Sequence, residues 1–355
     1  MTLSPHDPVL ADTVLADPVL ADPVLADIGP AAGRDVDLVV VGDCNPDVLV
    51  LGDDVTPAFG QEEKLVQSMS LVIGGSASIT AVAAARLGLS VALVAAVGAD
   101  PAGELILDQL AREGVDVAAV VVRGEAATGM TVALSQGGDR AILTALGAVA
   151  SLTAADIPDA LLARARHVHA SSYFLLEDSL GPGLAAVLSA ARAAGATTSL
   201  DTNWDPSGRW GDDRLSAAIA QTDVLLPNEA EALRLSDETD LATAARALTA
   251  AGSRLVVKLG ERGALCVEGP HQRRVNLPSL VPVDTTGAGD CFNAGLIAGL
   301  LDGLALPQAA ALGCAVGALS TRAPGGTASC PNLASAAALA QKASITSVAA
   351  GTSSP

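Results

Sequence analysis

Short, continuous runs of aliphatic and β-branched residues recur along the chain, and each run ends at a glycine or a polar residue. The first run, Leu38–Val41, stops at Gly42. Later runs lie at Val91–Val97, Val117–Val122, Thr131–Leu134, His167–Ala170, Thr197–Asp201, Val224–Leu226 and Leu255–Leu259. Because apolar residues occupy successive positions, both faces of each strand are expected to be covered. The pattern predicts a sheet buried on both sides.

Segments rich in Ala, Leu and Arg with helical spacing separate many of these runs. They cover Ile79–Leu87, Gly103–Glu113, Gly183–Ala194, Leu241–Ala251 and Leu333–Lys342. Alternation of buried strands and helices predicts an α/β fold with a mostly parallel central sheet between two helical layers. Ligands bind beyond the carboxyl ends of such strands, so the polar residues that follow each run are the candidates for a site.

Two regions break the alternation. Residues 48–72 and 117–146 contain strand-like pieces and turn residues but no long helix. We interpret them as extra strands outside the main sheet that form a small lid. Ordinary edge hairpins are the alternative interpretation.

The two ends of the chain differ from the rest. Residues 7–27 repeat a five-residue unit of the type Asp-Pro-Val-Leu-Ala. Such a period fits neither a helix nor a strand, and its prolines disfavour both. We therefore predict a disordered acidic extension over residues 1–34, one domain over residues 35–345, and a disordered tail over residues 346–355.

Composition excludes several classes of partner. The chain has 355 residues and a formal net charge of −19, which argues against binding to nucleic acid or to an anionic membrane. No apolar run approaches the roughly 18 residues that a membrane span needs, and no signal peptide is evident. We predict a cytoplasmic protein. Its five cysteines lack metal-ligand spacing and are interpreted as small core residues in a reducing compartment.

The sequence Asp284-Thr-Thr-Gly-Ala-Gly-Asp290 carries the strongest chemical signal. Its small residues leave backbone N–H groups bare at the start of a helix, where free donors and the helix dipole favour an anion. The turn ends in a carboxylate, Asp290, which suits a base that takes a proton from an attacking hydroxyl. The helix dipole leads us to expect Asp290 to be ionised near neutral pH; a purely capping role is the alternative.

Other phosphate-binding motifs are absent or incomplete. The chain has no GxxxxGK[ST] sequence, and the turn at residues 287–292 has only two of the glycines of a dinucleotide-binding fingerprint. Asp201, Asn203 and Asp205 follow a predicted strand and fit either a site or a local cap. His167 and His169 are interpreted as structural, whereas Trp204 fits either core packing or stacking on a ring.

Taken together, these motifs resemble the ribokinase-like (PfkB) carbohydrate kinases over about residues 36–342. The turn with Phe292 and Gly295 resembles the C-terminal signature of that family. Gly74-Gly75-Ser76, followed by residues 81–88, resembles the N-terminal signature. The resemblance implies a ribokinase-like three-layer α/β/α sandwich with a small β-sheet lid. It also implies ATP-dependent phosphorylation of a sugar hydroxyl with Mg²⁺, and in many members K⁺.

The resemblance also implies roles for individual residues. Asp290 would be the catalytic base, with the anion hole formed by the amides of Gly287, Ala288 and Gly289. The implied ATP-binding residues are Asn228, Lys258, Gly260, Gly263 and Thr285. The implied sugar-binding residues are Asp47, Gly74, Gly75, Ser76 and Asp290. Glu231 and Asn228 would organise Mg²⁺ through water, and Asp284 and Thr286 would bind K⁺.

One departure from the family leaves the acceptor open. Ile79 stands where the family usually has an asparagine that binds the acceptor. An apolar side chain cannot replace those hydrogen bonds. A nucleoside (adenosine-type) kinase and a catalytically silent sugar-binding regulator therefore remain alternatives. A phosphosugar is disfavoured because the rim segments before residue 80 contain no cluster of Arg or Lys. The family's paired lids imply a homodimer.

Overall fold

The computed structural model describes residues 33–136 and 139–348. The repeat at residues 7–27 lies outside the described residues, as does most of the predicted extension and tail. Residues 346 and 347, which the sequence analysis assigned to the tail, belong instead to a strand that ends at Ser347. This strand pairs with its neighbour through Arg273 and Arg274, which explains why the ordered chain extends past residue 345.

Sixteen strands and ten helices are found in the described residues. The strands are β1 Val36–Val41, β2 Asn45–Leu51, β3 Ser68–Gly74, β4 Val91–Val94, β5 Ala96–Gly98, β6 Val115–Asp116, β7 Val121–Arg123, β8 Met130–Gln136, β9 Asp139–Ala145, β10 Ala165–Ser171, β11 Thr197–Asp201, β12 Val224–Leu225, β13 Arg254–Lys258, β14 Ala264–Glu268, β15 His271–Asn276 and β16 Ser344–Ser347. The helices are α1 Ser76–Arg86, α2 Pro101–Arg112, α3 Asp159–Arg164, α4 Gly181–Ala193, α5 Asp213–Ile219, α6 Glu229–Ser236, α7 Leu241–Leu248, α8 Ala288–Leu301, α9 Leu306–Ser320 and α10 Leu333–Ala340.

The central sheet has ten strands in the order β16-β15-β14-β13-β12-β11-β10-β1-β4-β6. Pairing is parallel from β6 to β13 and antiparallel from β13 to β16. Alternate residues of β1 face opposite sides: Leu38 and Val40 pack with α1, α2, α8, α9 and α10. Val39 and Val41 pack with α3 to α7. Two apolar layers thus cover the sheet, as the continuous runs predicted.

A separate four-stranded sheet has the order β3-β2-β8-β9. Its β2 strand pairs antiparallel with β3 and parallel with β8. The fold-class prediction is confirmed: helices cover both faces of a large, mostly parallel sheet, and a small second sheet is present.

Two strand predictions were wrong in detail. The run Val91–Val97 is divided between β4 and β5, which belong to different sheets. The run Val117–Val122 is broken by a turn in which the N–H of Val120 donates to the carbonyl of Val117 at 3.0 Å. Asp116 stabilises that turn by accepting the Ala118 N–H at 2.9 Å. Local side-chain hydrogen bonding therefore outweighs the β-propensity of the valines.

The predicted anion turn begins α8, which packs against α1 and α9 on one face of the central sheet and is buried over nearly its whole length. No helix in the described ranges is long and apolar enough to cross a membrane.

Candidate active site

The turn at the start of α8 has the backbone geometry of an anion site. Gly287 is the N-cap residue and has a φ of 70°, in the left-handed region. A Cβ at this position would lie 2.7 Å from the Cα of Gly326 and 3.0 Å from Cγ2 of Ile79. Both the backbone angle and the close packing therefore require glycine. The first N–H groups of α8 have no partner within the helix, so this end attracts negative charge.

Asp290 lies in the first turn of α8 and is only 8% exposed. Burial raises the pKa of its carboxyl group well above the ordinary range, and repulsion from Asp201 acts in the same direction, whereas Lys258 opposes it. Desolvation by burial therefore shifts the pKa of Asp290 in the direction opposite to that expected from the helix dipole. The same shift makes the Asp290 carboxylate a stronger base than an exposed aspartate.

A buried charge network lies beside Asp290. The Lys258 ammonium, at the end of β13, donates to Oδ2 of Asp201 at the end of β11. The same carboxylate oxygen accepts a hydrogen bond of 2.7 Å from Nδ2 of Asn293. Burial opposes ionisation of Lys258, but the charges of Asp201 and Glu231 outweigh it and raise the pKa of the lysine. Each charge is therefore held in place by a specific partner.

Two members of this network were not assigned firmly from the sequence. For Asp201 the interpretations of cap and site were both open, and its contacts place it in the network. Asn293 was missed, although it lies three residues after Asp290 and therefore on the same face of α8. That spacing was the signal that could have identified it.

Asn228 and Glu231 form a capping box at the start of α6. The Glu231 N–H donates to Asn228 Oδ1 at 2.9 Å, and the Asn228 N–H donates to Glu231 Oε2 at 2.8 Å. Burial and repulsion from Asp201 raise the pKa of Glu231 to about 7. Over the described residues, no group of three or more acidic, His or Cys side chains is arranged to hold a metal ion. This donor set suits contact with Mg²⁺ through bound water, because Mg²⁺ retains several waters in most protein sites.

A cavity of about 380 Å³ opens beside the turn. Its lining includes four of the predicted nucleotide residues, namely Lys258, Gly260, Gly263 and Thr285, together with Gly289 of the anion turn. Asn228 is not part of the lining. Apolar walls come from Leu277, Pro278 and Ala318, which the sequence analysis did not identify. They lie in a loop and on α9, where no motif marks them.

The predicted sugar side lies where β2 and β3 meet. Asp47 pairs in register with Val72 on β3, and a Cβ on Gly74 would lie 1.9 Å from Oδ1 of Asp47. Asn45 Nδ2 donates to the same Asp47 oxygen at 2.9 Å. Burial, followed by repulsion from Asp43, raises the pKa of Asp47 to about 7. Gly74 thus gives the carboxyl group the space it occupies.

A second polar group connects the sugar side to α1. Asp43 accepts the N–H groups of Ser76 and Ala77 at 3.1 and 3.0 Å, and the hydroxyl of Ser172 at 2.8 Å. Asn203 Nδ2 donates to Ser76 Oγ at 2.9 Å. Asn203 adopts a positive φ of 56°, which asparagine tolerates better than most residues. Asp43 and Asn203 thus fix Ser76, and Ser76 in turn contributes to the environment of Asp290.

Ile79 lies in α1 and is buried against the turn, in contact with Gly287 and Gly326. The side chain that replaces the usual asparagine therefore packs against the proposed anion hole. Asn45 and Asn203 supply side-chain amide groups on the sugar side.

Other candidate residues have structural contacts. Asp205 accepts the N–H groups of Ser207 and Trp210 at 2.7 and 2.6 Å and is a local cap. Trp204 is 55% exposed and its ring meets Trp210 edge-on at 4.8 Å, which excludes the core-packing interpretation. Glu177 accepts a hydrogen bond of 2.6 Å from Arg209.

The two histidines of β10 form a buried polar chain. His167 Nε2 and His169 Nδ1 lie 2.7 and 2.8 Å from the hydroxyl of Ser199. Burial lowers the pKa of His167 to about 3 and that of His169 to about 4. Both side chains are therefore neutral near pH 7, in agreement with a structural role.

Asp284 ties the turn to the loop after α9. Its Oδ1 accepts the N–H and hydroxyl of Thr286 at 2.9 and 2.8 Å, and its Oδ2 accepts the Gly325 N–H at 2.8 Å. The two predicted K⁺ ligands are thus adjacent.

Known proteins share this sequence and fold. The pfkB family of carbohydrate kinases matches residues 36–333. The chain is 32% identical over 286 residues to 2-dehydro-3-deoxygluconokinase of Bacillus subtilis, covering 73% of this chain and 84% of that protein. It is 31% identical over 304 residues to fructokinase of Salmonella typhimurium, covering 81% and 97%.

Solved structures agree with the sequence relatives. A PfkB protein from Polaromonas sp. JS666 superposes with a TM-score of 0.68 at 28% identity, covering 80% of this chain and 95% of that one. Arabidopsis thaliana ribokinase, complexed with ribose and ATP, superposes with a TM-score of 0.73 at 24% identity, covering 86% and 99%; at that identity it shows the fold alone. The family match and the kinase relatives thus define the class of this protein as a sugar-phosphorylating enzyme. The chain belongs to the pfkB family of carbohydrate kinases.

Proposed function

We propose that this protein transfers the γ-phosphoryl group of ATP to a hydroxyl group of a sugar that carries no anionic group. One observation carries the proposal. Asp290 and the Gly287–Gly289 backbone lie at one helix start, where Gly289 lines the cavity and Ser76, from the predicted sugar side, contributes to the surroundings of Asp290. A base next to an anion site suits in-line transfer to an alcohol.

Within this proposal, Asp290 is the catalytic base and the amides of Gly287, Ala288 and Gly289 form the anion hole. The raised pKa of Asp290 favours proton uptake from a hydroxyl as the new bond forms. Fixed N–H groups stabilise charge on the transferred group without reorganisation.

ATP is assigned to the cavity lined by Lys258, Gly260, Gly263 and Thr285. A nucleotide base would pack against its apolar walls, and the backbone bridge between Asn228 and Lys258 supports a place for Asn228 near the phosphates. An E. coli ribokinase-like protein of this fold binds ATP and Mg²⁺. Bound Mg²⁺ would neutralise charge on the phosphates. Glu231, with Asn228, would hold the waters of that ion.

Charge on the sugar side supports an acceptor without an anionic group. Asp43, Asp47 and Asp290 lie near enough for the charge of Asp43 to raise the pKa of the other two. A carboxylate or phosphate on the acceptor would meet repulsion there. The cation that acts on Asp290, Lys258, is already paired with Asp201. Asp47, with Gly74, Gly75 and Ser76, would bind acceptor hydroxyls. Relatives act on both kinds of acceptor, since they include 2-dehydro-3-deoxygluconokinase and fructokinase.

A nucleoside acceptor is the second candidate, supported by the apolar Ile79 and the exposed ring of Trp204. A silent sugar-binding regulator is disfavoured because such a protein has no need of a buried base. Release of ADP in a screen of fructose, ribose, 2-dehydro-3-deoxygluconate, fructose 6-phosphate and adenosine separates these candidates. We expect release with an uncharged sugar. Release only with adenosine, or none while a sugar binds, would contradict the proposal.

We further assign K⁺ to Asp284 and Thr286, as a monovalent-cation site at the foot of the anion turn. The assignment rests on the link that Asp284 makes between the turn and Gly325. Activity in KCl should exceed activity in an equal concentration of tetramethylammonium chloride. Equal activity in the two salts would remove the assignment.

A homodimer through the small sheet is also proposed, in which each copy covers the other's lid. Apolar side chains on that sheet are exposed, with Met69 at 66% and Leu143 at 64%. Covering such a surface and the sheet edge favours association. Sedimentation velocity should give a dimer at micromolar concentration, and a monomer would contradict this assignment.

A further inference from the structure

Two cysteine thiols lie together behind the anion turn. The Sγ atoms of Cys291 and Cys330 are 3.2 Å apart, and each lies 3.4 Å from the carbonyl oxygen of Gly326. Cys291 is fully buried in α8, whereas Cys330 is partly exposed in the loop between α9 and α10. The sequence interpretation of every cysteine as an inert core residue therefore does not describe Cys330.

This thiol pair is connected to the proposed chemistry on both sides. Cys291 directly follows Asp290 in α8. Gly326 packs against Gly287 so closely that a Cβ on Gly287 would lie 2.7 Å from its Cα. A movement of the loop that carries Gly326 and Cys330 is therefore transmitted to the anion turn.

The surroundings of Cys330 favour its reaction with an oxidant. Its pKa is lowered by the hydrogen bond with Cys291 and by the Arg86 guanidinium, although burial opposes the shift. Arg86 is held there by bonds to Glu113 at 2.8 Å and by donation to the Thr327 carbonyl. The thiolate is the reactive form of cysteine, so a partly exposed thiol beside a cation is the susceptible one. Burial raises the pKa of Cys44 and of Cys314 to about 12, which makes those thiols unreactive.

We propose that Cys291 and Cys330 form a reversible oxidation site, at which hydrogen peroxide converts the two thiols into a disulfide that suppresses phosphoryl transfer. The Cys330 thiolate attacks the peroxide, which gives a sulfenic acid and one water after proton uptake. The Cys291 thiol then attacks the sulfenic sulfur, the S–S bond forms, and the oxygen leaves as a second water. The two thiols lose two electrons in total, and the peroxide gains them.

Closing the disulfide requires movement at the turn. A disulfide has an S–S distance of about 2.0 Å, so the sulfurs must approach by roughly 1 Å from their separation of 3.2 Å. Because Cys291 is fixed in the buried helix α8 and Cys330 lies in a partly exposed loop, we expect the loop to make most of this movement. A displacement of about 1 Å near reacting groups can cost around 100-fold in rate. Oxidation should therefore reduce turnover.

Treatment of the full-length protein with hydrogen peroxide tests this site. Peptide mapping should show a Cys291–Cys330 crosslink, with the loss of two hydrogens. ATP-dependent phosphorylation should fall at least about 10-fold and return after dithiothreitol. The activity readout rests on the proposed function, but the crosslink does not. A crosslink found in a protein without kinase activity would contradict the proposed function and leave the oxidation site intact.

Two variants control the experiment. Cys330→Ser should keep its activity through the same treatment, because the disulfide cannot form. Cys266→Ala removes a buried thiol on β14 and should lose and regain activity as the wild type does. Absence of the crosslink, an unchanged rate in the crosslinked protein, or inactivation of Cys330→Ser to the same extent would each overturn the proposal.

Discussion

The buried network at the start of α8 and the small β3-β2-β8-β9 sheet flank the same site but are built in different ways. In the network, Asp201, Lys258 and Asn293 hold one another, and Asp290 lies against them. The small sheet instead exposes large apolar side chains such as Met69 and Leu143. The network thus fixes its geometry through buried charges, whereas the sheet leaves a face to be covered. The proposed base thus has fixed surroundings, which define the reaction. The sheet next to the proposed acceptor side is partly uncovered, and it defines the acceptor less closely.

Removing the base should have the largest effect. Asp290→Asn keeps the shape of the side chain but cannot accept the proton, so kcat should fall by about 10²- to 10⁴-fold while ATP still binds. Coupled ADP release and calorimetric titration of ATP measure the two properties. Asp302→Asn, at the exposed end of the same helix, is the matched control and should retain wild-type turnover. Near-normal turnover of Asp290→Asn would remove the residue from its role.

Breaking the buried ion pair should be next in magnitude. Lys258→Met leaves the Asp201 carboxylate buried without its cation, which should lower the free energy of unfolding by about 3–5 kcal/mol. Urea denaturation provides the measurement. Arg164→Met, which removes one partner of the exposed pair with Asp35, serves as the comparison and should stay close to wild type. Equal decreases in the free energy of unfolding for the two variants would show that the buried ion pair contributes no more to stability than the exposed pair.

The anion turn is tested by two glycines with similar backbone angles. Gly287→Ala places a Cβ against Gly326 and Ile79, whereas Gly303 has a φ of +81° and nothing within 4 Å of its Cβ position. Both variants should lose about 1 kcal/mol of stability through backbone strain. Only Gly287→Ala should also lose about 100-fold in kcat, because it shifts the anion hole. Similar kcat values for the two variants would contradict the assignment of the turn.

The smallest expected effect is a change in how the free energy of unfolding depends on pH. The pKa of His169 falls from an ordinary 6.5 to about 4 on folding. Below pH 6.5 the unfolded chain therefore binds a proton that the folded chain refuses, so this stability is present above pH 6.5 and is lost as the pH falls towards 4. Asp47, with its pKa raised to about 7, acts in the opposite sense: it destabilises the fold at neutral pH, and this cost is relieved as the pH falls towards 4.

The two opposing effects can be separated with one variant. His169→Gln retains a group that can bond to Ser199, and between pH 7 and pH 5 it should lose about 2 kcal/mol less stability than the wild type. Urea denaturation at the two pH values measures the difference. Identical losses would mean that His169 titrates in the folded protein as it does in the unfolded chain.

Much of the fold could be predicted from the sequence, because buried parallel strands leave an unambiguous apolar run. The division of Val91–Val97 into β4 and β5 could not be predicted. An uninterrupted apolar run does not indicate where the chain passes from one sheet to another. Likewise the turn at Val117–Val120 depends on a bond to Asp116 that competes with strand pairing.

In the candidate site, short motifs identified the turn and the capping box because their geometry is local. The walls from Leu277 and Ala318 depend on tertiary packing and carry no local pattern, and the helical spacing of Asn293 from Asp290 does not by itself reveal its bond to Asp201. The direction of the pKa shift at Asp290 could not be predicted for the same reason. The helix dipole can be read from the sequence, but burial and the charge of Asp201 cannot.

Phosphorus NMR of a reaction that contains the protein, ATP, Mg²⁺, K⁺ and an uncharged sugar such as fructose tests the central claim most directly. The account predicts a new sugar phosphate ester that appears in equal amount with ADP, and its loss when Asp290→Asn replaces the wild type. Appearance of inorganic phosphate in place of the ester, or consumption of ATP only with an anionic acceptor, would contradict it.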